Sequence, residues 1–193
     1  MEKLKKKILI VVDYQYDFFH PEGSLYVPGG EKLQEKIEKI IPNFDGVIFT
    51  KDCHPANHCS FKEQGGLWPA HCVMDTVGCG IPASMFKLCK NYTVEAKGVW
   101  PDEEEYGAFS RSWYLQLDLN HIDPTYRNML DYQYVICGLV DSYCVVETMK
   151  NVVRHTSAEN VFIFRDGIGS LGNPEAFEDF VKENNIQEYE YDN

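Results

Sequence analysis

The stretch YQYVICGLVDSYCVVETMKNVV, Tyr132 to Val153, decides how the chain is read. Its first nine residues form a near-continuous apolar run, rich in Val and Ile and without polar alternation, the pattern of a parallel strand buried on both faces. From Val145 the period changes: Val145, Met149, Val152 and Val153 fall on one helical face. A strand running straight into an amphipathic helix is half of a βαβ unit. Cys144 stands at the junction, at or near the first helical turn, where unpaired amides and the helix dipole favour an anion. Such a position lowers a thiol pKa, and the same amides suit an oxyanion formed when sulfur attacks a carbonyl carbon. The plain alternative is a small buried hydrophobe, the commoner fate of cysteine.

Working outward, KILIVVD (Lys7 to Asp13), GVIFTKD (Gly46 to Asp52) and NVFIFRDG (Asn160 to Gly167) repeat the strand pattern. NYTVEAKG (Asn91 to Gly98) is a weaker strand, and QEYEYD near the end predicts an edge. Leu33, Ile37, Ile40 and Ile41 share a helical face, and a further helix opens with Asn173 as N-cap and Pro174 at its first position. Strand alternating with helix predicts an α/β fold of three layers around a mainly parallel sheet. The stretch from 53 to about 90 breaks the alternation and is rich in Gly, Pro, Cys and His; a long loop in a compact domain is usually functional. Ligands of open parallel sheets bind outside the carboxyl ends of the strands, which selects Asp13, Asp52, Lys97 and Cys144.

At 193 residues the chain predicts a single domain, 1–193, carrying the 53–90 insertion. The net charge of −12 argues against nucleic acid, whose phosphates need a basic face. Met1 to Tyr14 begins with lysines like a signal peptide, but its apolar run stops at Asp13, and no stretch is long enough to span a bilayer, so no membrane partner is expected. Seven cysteines, several within apolar runs, suit a reducing cytoplasm better than a disulfide framework. Without a CxxC, a zinc ribbon built on sulfur is disfavoured.

Asp13 ends an apolar strand, where an unpaired carboxylate is costly. It reads either as a base for the Cys144 proton or as a cap of the next turn. Lys97 is the matching cation. In TKDCHPANHCSF, Asp52 and His54 are spaced i, i+2, which points both side chains one way from an extended strand, and His71 of WPAHC is positioned to close a metal site. Two imidazoles and a carboxylate suit Zn, Fe or Mn and leave positions open. Glu63 is a candidate fourth ligand, and His58 is placed behind the ligands. Phe18, Phe19, Trp68 and Tyr106 are candidates to wall an aromatic pocket, although such residues are more often core packing than substrate contacts.

Taken together, VVDYQYDFFHPEGSLYVPGG, TKDCHPANHCSF, WPAHC, Lys97-Gly98, EYGAFS and CGLVDSYCVVET occur in an order that resembles the nicotinamidases of the isochorismatase-like hydrolases, from about Ile8 to Asp166. The resemblance implies a six-stranded parallel sheet with helices on both faces and an Asp13, Lys97, Cys144 triad. It also implies a divalent metal, zinc most often and iron or manganese in some members, held by Asp52, His54 and His71. The substrate implied is nicotinamide, with pyrazinamide as a surrogate and a thioester on Cys144 as intermediate. Amides at Cys144 and near Asp141 are implied to hold the oxyanion, with a cis peptide before Asp141. The chain departs from many relatives at Val140, Asp141 and Ser142, and Cys53 replaces an aromatic residue. Leu117 to Tyr134 matches no motif and is read as pocket rim or subunit contact, leaving a homo-oligomer open. A metal-free carbamoyl amidase of the same family, and a non-catalytic zinc or redox thiol protein, are the competing readings; isochorismate hydrolysis does not need the cysteine.

Overall fold

Among the apolar runs, the four continuous ones form the middle of the sheet and the two weaker ones form its edges. The structure is a computed structural model describing residues 5–110 and 132–191. Its strands are β1 (Lys6–Val12), β2 (Gly46–Asp52), β3 (Tyr92–Lys97), β4 (Tyr132–Gly138), β5 (Val161–Ile168) and β6 (Gln187–Glu188). They pair in the order β3-β2-β1-β4-β5-β6, every pairing parallel. The helices are α1 (Tyr16–Phe19), α2 (Leu33–Ile40), α3 (Ala83–Leu88), α4 (Val146–His155) and α5 (Glu175–Glu183). Of the unread segment from 117 to 134, residues 117–131 lie outside the described residues.

Alternate residues of the central strands feed two cores. Ile8, Ile10 and Val12 of β1 pack with Val145, Met149, Val152 and Phe177 on the α4/α5 side. Leu9 and Val11 pack with Leu33, Ile37, Ile40 and Met85 on the α2/α3 side. This is the expected three-layer arrangement, and burial on both faces explains why these strands show no polar alternation. β3 alternates because it is an edge: Tyr92 and Val94 are exposed while Glu95 and Lys97 are buried. Among the described residues, no helix is long and apolar enough to cross a membrane.

Two local readings shift by a residue or more. Pro174 occupies the N-cap position of α5, and Asn173 instead lies with its side-chain oxygen 3.2 Å from the Ser142 hydroxyl. The amphipathic stretch at 145 is entered through a single π-helical turn, Asp141–Val145, before α4 begins. Strand order reverses between β1 and β4, the switch point where neighbouring connections leave in opposite directions and open a crevice. Only glycine fits at Gly138 on the floor of that crevice: its φ is +118°, and a Cβ would stand 2.0 Å from the Val12 carbonyl oxygen.

Candidate active site

Three strand ends and one helix start deliver charged groups to the crevice. Asp13 follows β1 with φ +46°, an uncommon conformation for a non-glycine residue. It is held there by Thr50, whose hydroxyl donates to Asp13 Oδ1 at 2.7 Å. Lys97, the last residue of β3, is 2% exposed, and its ammonium lies 2.8 Å from Asp13 Oδ2, 2.5 Å from Asp52 Oδ1 and 3.5 Å from Cys144 Sγ. Cys144 Sγ, an Asp13 carboxylate oxygen and an Asp52 carboxylate oxygen all lie within 4.8 Å of one another. Three ionisable groups thus share one buried lysine.

Their protonation follows from that crowding. Burial raises Asp13 above the usual carboxylate range, and the Asp52 charge adds to burial against the pull of Lys97. Burial acts on Asp52 too, but Lys97 and His54 outweigh it and hold Asp52 below that range. The lysine therefore serves Asp52 more than Asp13, in keeping with its shorter contact. Contrary to the lowering expected at a helix start, burial lifts the Cys144 thiol well above its ordinary value; Lys97 opposes this, and the two carboxylates reinforce it. Lys97 itself is held well above its usual value, because Asp13, Asp52 and Cys144 overcome the cost of burying it. At rest the thiol keeps its proton. Asp13 Oδ2 meets Lys97 as an ion pair yet accepts no well-directed hydrogen bond among the described residues, so it offers that proton an acceptor.

On the far side of Asp52 lie the histidines. His54 Nδ1 donates to the Gly98 carbonyl and His71 Nδ1 to the Pro69 carbonyl, each at 2.8 Å. Those bonds fix the tautomers and turn both Nε2 lone pairs toward Asp52 Oδ2, 3.6 Å from His54 and 3.9 Å from His71. Burial lowers His71 and keeps it neutral. Burial would lower His54 too, but the Asp52 carboxylate outweighs it and raises His54 instead, so this pair attracts positive charge to the spot between them. Two imidazole nitrogens with carbonyl-anchored rings and one carboxylate oxygen form a donor set fit for zinc or another divalent ion. Gly98 is the close neighbour that permits it: with φ +62°, any Cβ would sit 2.4 Å from His54 Cε1.

Beside both groups lies a cavity of about 50 Å³ lined by Phe18, Trp68, Tyr106, Tyr143, Asp52, His71 and Cys144, with Leu25, Val27, Leu139, Val140, Leu171 and Glu104 completing it. At roughly 10–15 Å³ per water, that holds a few waters or one small ring. Trp68 Nε1 donates to Tyr106 Oη at 3.1 Å, and the Trp68 and Tyr106 rings both meet Tyr143.

No protein-family profile matches the chain. Among curated proteins it is 31% identical to the nicotinamidase of Saccharomyces cerevisiae, over 74% of this chain and 79% of that protein. It is 28% identical to the nicotinamidase of Escherichia coli, over 77% and 76%. The chain belongs to the nicotinamidases of the isochorismatase-like hydrolase family. Among solved structures, the pyrazinamidase of Pyrococcus horikoshii in complex with zinc superposes with TM-score 0.78 at 32% identity, covering 96% of this chain and 99% of that one. PnC1 of L. infantum in complex with nicotinate gives 0.76 at 27% identity, covering 96% and 93%.

Within this nicotinamidase fold, several expected residues lie elsewhere. Glu63 is exposed on the short turn Lys62–Gln64 and is not part of the Asp52, His54, His71 group, because that turn points its side chain to solvent. Asp141 is buried but does not line the cavity: its carboxylate accepts the Ser142 amide at 2.6 Å, and its own amide donates to the Gly169 carbonyl at 3.0 Å. That amide is spent and is not free to receive an oxyanion. The cis peptide lies one residue earlier, between Leu139 and Val140. Phe19 stacks on Tyr14 away from the cavity. His58 packs 4.1 Å over the His54 ring, with its nitrogens placed at Ser60 Oγ (2.7 Å) and the Glu103 carbonyl (3.0 Å). Tyr143 escaped the sequence reading, although its place beside Cys144 pointed to it; Leu171 and Glu104 had no such signal.

Proposed function

We propose that this chain hydrolyses nicotinamide to nicotinate and ammonia, with Cys144 as nucleophile, Asp13 as general base and Lys97 as their shared counter-ion. The observation that carries this reading is the convergence of Asp13, Lys97 and Cys144 at the switch point, beside a small aromatic cavity bordered by Asp52 and His71. A divalent cation, zinc first among candidates as in the Pyrococcus horikoshii pyrazinamidase, is assigned to Asp52, His54 and His71. When bound, it supplies a Lewis-acidic anchor for the pyridine nitrogen and positive charge beside Asp52.

The protein's own groups do the rest. The aromatic walls hold the ring and exclude water, presenting the carboxamide carbon to Cys144. Asp13, made more basic by burial, takes the thiol proton as sulfur attacks. The oxyanion develops at the start of the helix, where amides and dipole favour it. Protonated Asp13 then gives its proton to the departing nitrogen, which leaves as ammonia and a thioester remains. Water takes ammonia's place, loses a proton to Asp13 and attacks the thioester; nicotinate leaves and the thiol is restored. Lys97 stays protonated throughout and keeps the two carboxylates from repelling each other.

The deciding experiment follows ammonia and nicotinate from the zinc-loaded protein with Cys144→Ala alongside. Wild type should turn over nicotinamide and pyrazinamide, and the variant should lose at least about 10³-fold in kcat while binding zinc normally. A zinc-loaded wild type that is silent on nicotinamide but active on N-carbamoyl compounds would overturn the reading.

A further inference from the structure

Behind the strand end that carries Asp52 and His54 lies a pair of thiols the proposed reaction does not use. Side chains alternate along β2, so Thr50, Asp52 and His54 face the active site while Lys51 and Cys53 face the opposite layer. The turn Val77–Cys79 is joined to the same segment by hydrogen bonds. Cys79 Sγ donates at 3.2 Å to the carbonyl of Asp52, which is bonded to the Cys53 nitrogen. Burial with the neighbouring Cys53 thiol pushes the Cys79 thiol up to about 11 against the pull of Lys51. Buried Gln15 ties the same two elements together. Its Nε2 donates to the carbonyls of Asp52 (2.7 Å) and Cys79 (3.1 Å), and its Oε1 accepts the Asp52 amide (2.7 Å). All seven cysteines are free, and Cys53 is half-buried while Cys79 is buried.

We propose that Cys53 and Cys79 form an oxidation site, coupled to a disulfide by a two-electron hydroperoxide oxidant, and that the disulfide loosens the grip of Asp52 and His54 on a divalent cation. Hydrogen peroxide converts the more accessible Cys53 thiol to a sulfenic acid and releases one water. Cys79 sulfur attacks that sulfur, the S–O bond breaks, and the departing hydroxide takes the Cys79 proton as the second water. Two thiols lose two electrons and two protons; the peroxide O–O bond receives them.

The consequence for the cation follows from position. A disulfide fixes its sulfurs at about 2.05 Å and its Cβ atoms about 3.8 Å apart, so the link ties the Val77–Cys79 turn covalently to the segment that carries Asp52 and His54. The residues on either side of Cys53 are Asp52 and His54. Oxidation also removes the thiol proton that Cys79 donates to the Asp52 carbonyl. This second half rests on the metal reading above; the disulfide itself does not.

The test uses the Cys144→Ala protein, whose missing active-site thiol cannot compete for oxidant. It is reduced, treated with hydrogen peroxide, alkylated and digested, and the linked cysteines are located by peptide fragmentation. Zinc affinity is measured against a chromophoric chelator before oxidation, after it, and after dithiothreitol. The expected result is a Cys53–Cys79 link with zinc affinity lowered about tenfold or more and restored by reduction. Cys79→Ser, whose hydroxyl keeps a donor for the Asp52 carbonyl, should bind zinc like its parent and lose the response; Cys53→Ser serves the same purpose should Cys79→Ser fail to fold. Absence of the link, or a link through Cys59 or Cys72 instead, overturns the proposal. A Cys53–Cys79 link that leaves zinc affinity unchanged overturns its second half. A link in a protein that never bound zinc when reduced sinks the metal reading and leaves the oxidation site standing.

Discussion

The proposed reacting groups and the proposed metal-ligand set meet at Lys97 and Asp52 but are supported in different ways. Asp13, Lys97 and Cys144 stand at the ends of β1 and β3 and at the helix entry after β4, so ladder hydrogen bonds and two cores fix the backbone beneath each of them. Of the ligand set, only Asp52 ends a strand. His54 lies two residues past it, and His71 belongs to the irregular stretch. The His71 segment is fixed by single bonds: the Cys72 amide to Asp17 Oδ2 at 2.7 Å, the His54 amide to the Cys72 carbonyl at 3.1 Å, and Cys72 itself at φ +45°. Ladder bonds and two cores hold the proposed reacting groups, whereas a few polar contacts hold the residues proposed to take a cation. Disturbance of the first should be global and of the second local.

The largest effect should come from the residue both groups share. Lys97→Met leaves Asp13 and Asp52 buried beside each other without their cation. Breaking a buried ion pair from one side costs about 3–5 kcal/mol, so denaturant unfolding should show a loss of that size, and nicotinamide turnover should fall to background. A loss under about 1 kcal/mol would mean that water or a proton reaches these carboxylates easily, and the contrast between a dry sheet end and an adaptable loop would collapse.

Next in size is a change confined to the loop side. Asp17→Ala removes the acceptor of both the Cys72 and the Ser24 amides, and with it the tether that sets His71. Losing a partner that orients a ligand typically costs about 10–100-fold in metal affinity. Chelator competition should find zinc weakened by that factor, while kcat at saturating zinc stays within about twofold of the parent, because Asp17 touches none of the reacting groups. Should kcat fall as far as in Lys97→Met, the two halves are one rigid unit.

The same contrast explains what could be read in advance. The strand ends were legible because burial on both faces writes itself into Ile8 to Val12 and Val135 to Cys137 as unbroken apolar runs, and the topology of parallel sheets then says where a ligand goes. Asp52 and His54 followed from period-two geometry. Glu63 failed the same reasoning because spacing along an irregular segment says nothing of direction; the turn at Lys62–Gln64 sends it to solvent. Asp141 failed for a backbone reason, since its amide is consumed by Gly169 from a connection far along the chain. Leu171 and Glu104 reach the cavity through loops whose course no periodicity encodes. Cys79 meets Cys53 for that reason as well, across 26 positions of sequence without a repeating pattern.

The smallest effect should appear in the aromatic wall, which belongs to neither group. Trp68→Phe keeps a ring against Tyr143 but deletes the indole donor to Tyr106 Oη. One neutral hydrogen bond is worth about 1 kcal/mol net, and Tyr106 is free to turn once it is lost. If the wall only holds the ring, ground state and transition state lose equally, so KM should rise about fivefold with kcat unchanged. Steady-state kinetics with nicotinamide and pyrazinamide separate the cases. A fall in kcat at constant KM would mean that the Trp68 to Tyr106 bond sets the angle at which the carboxamide meets Cys144, placing the wall with the triad as part of the rigid half.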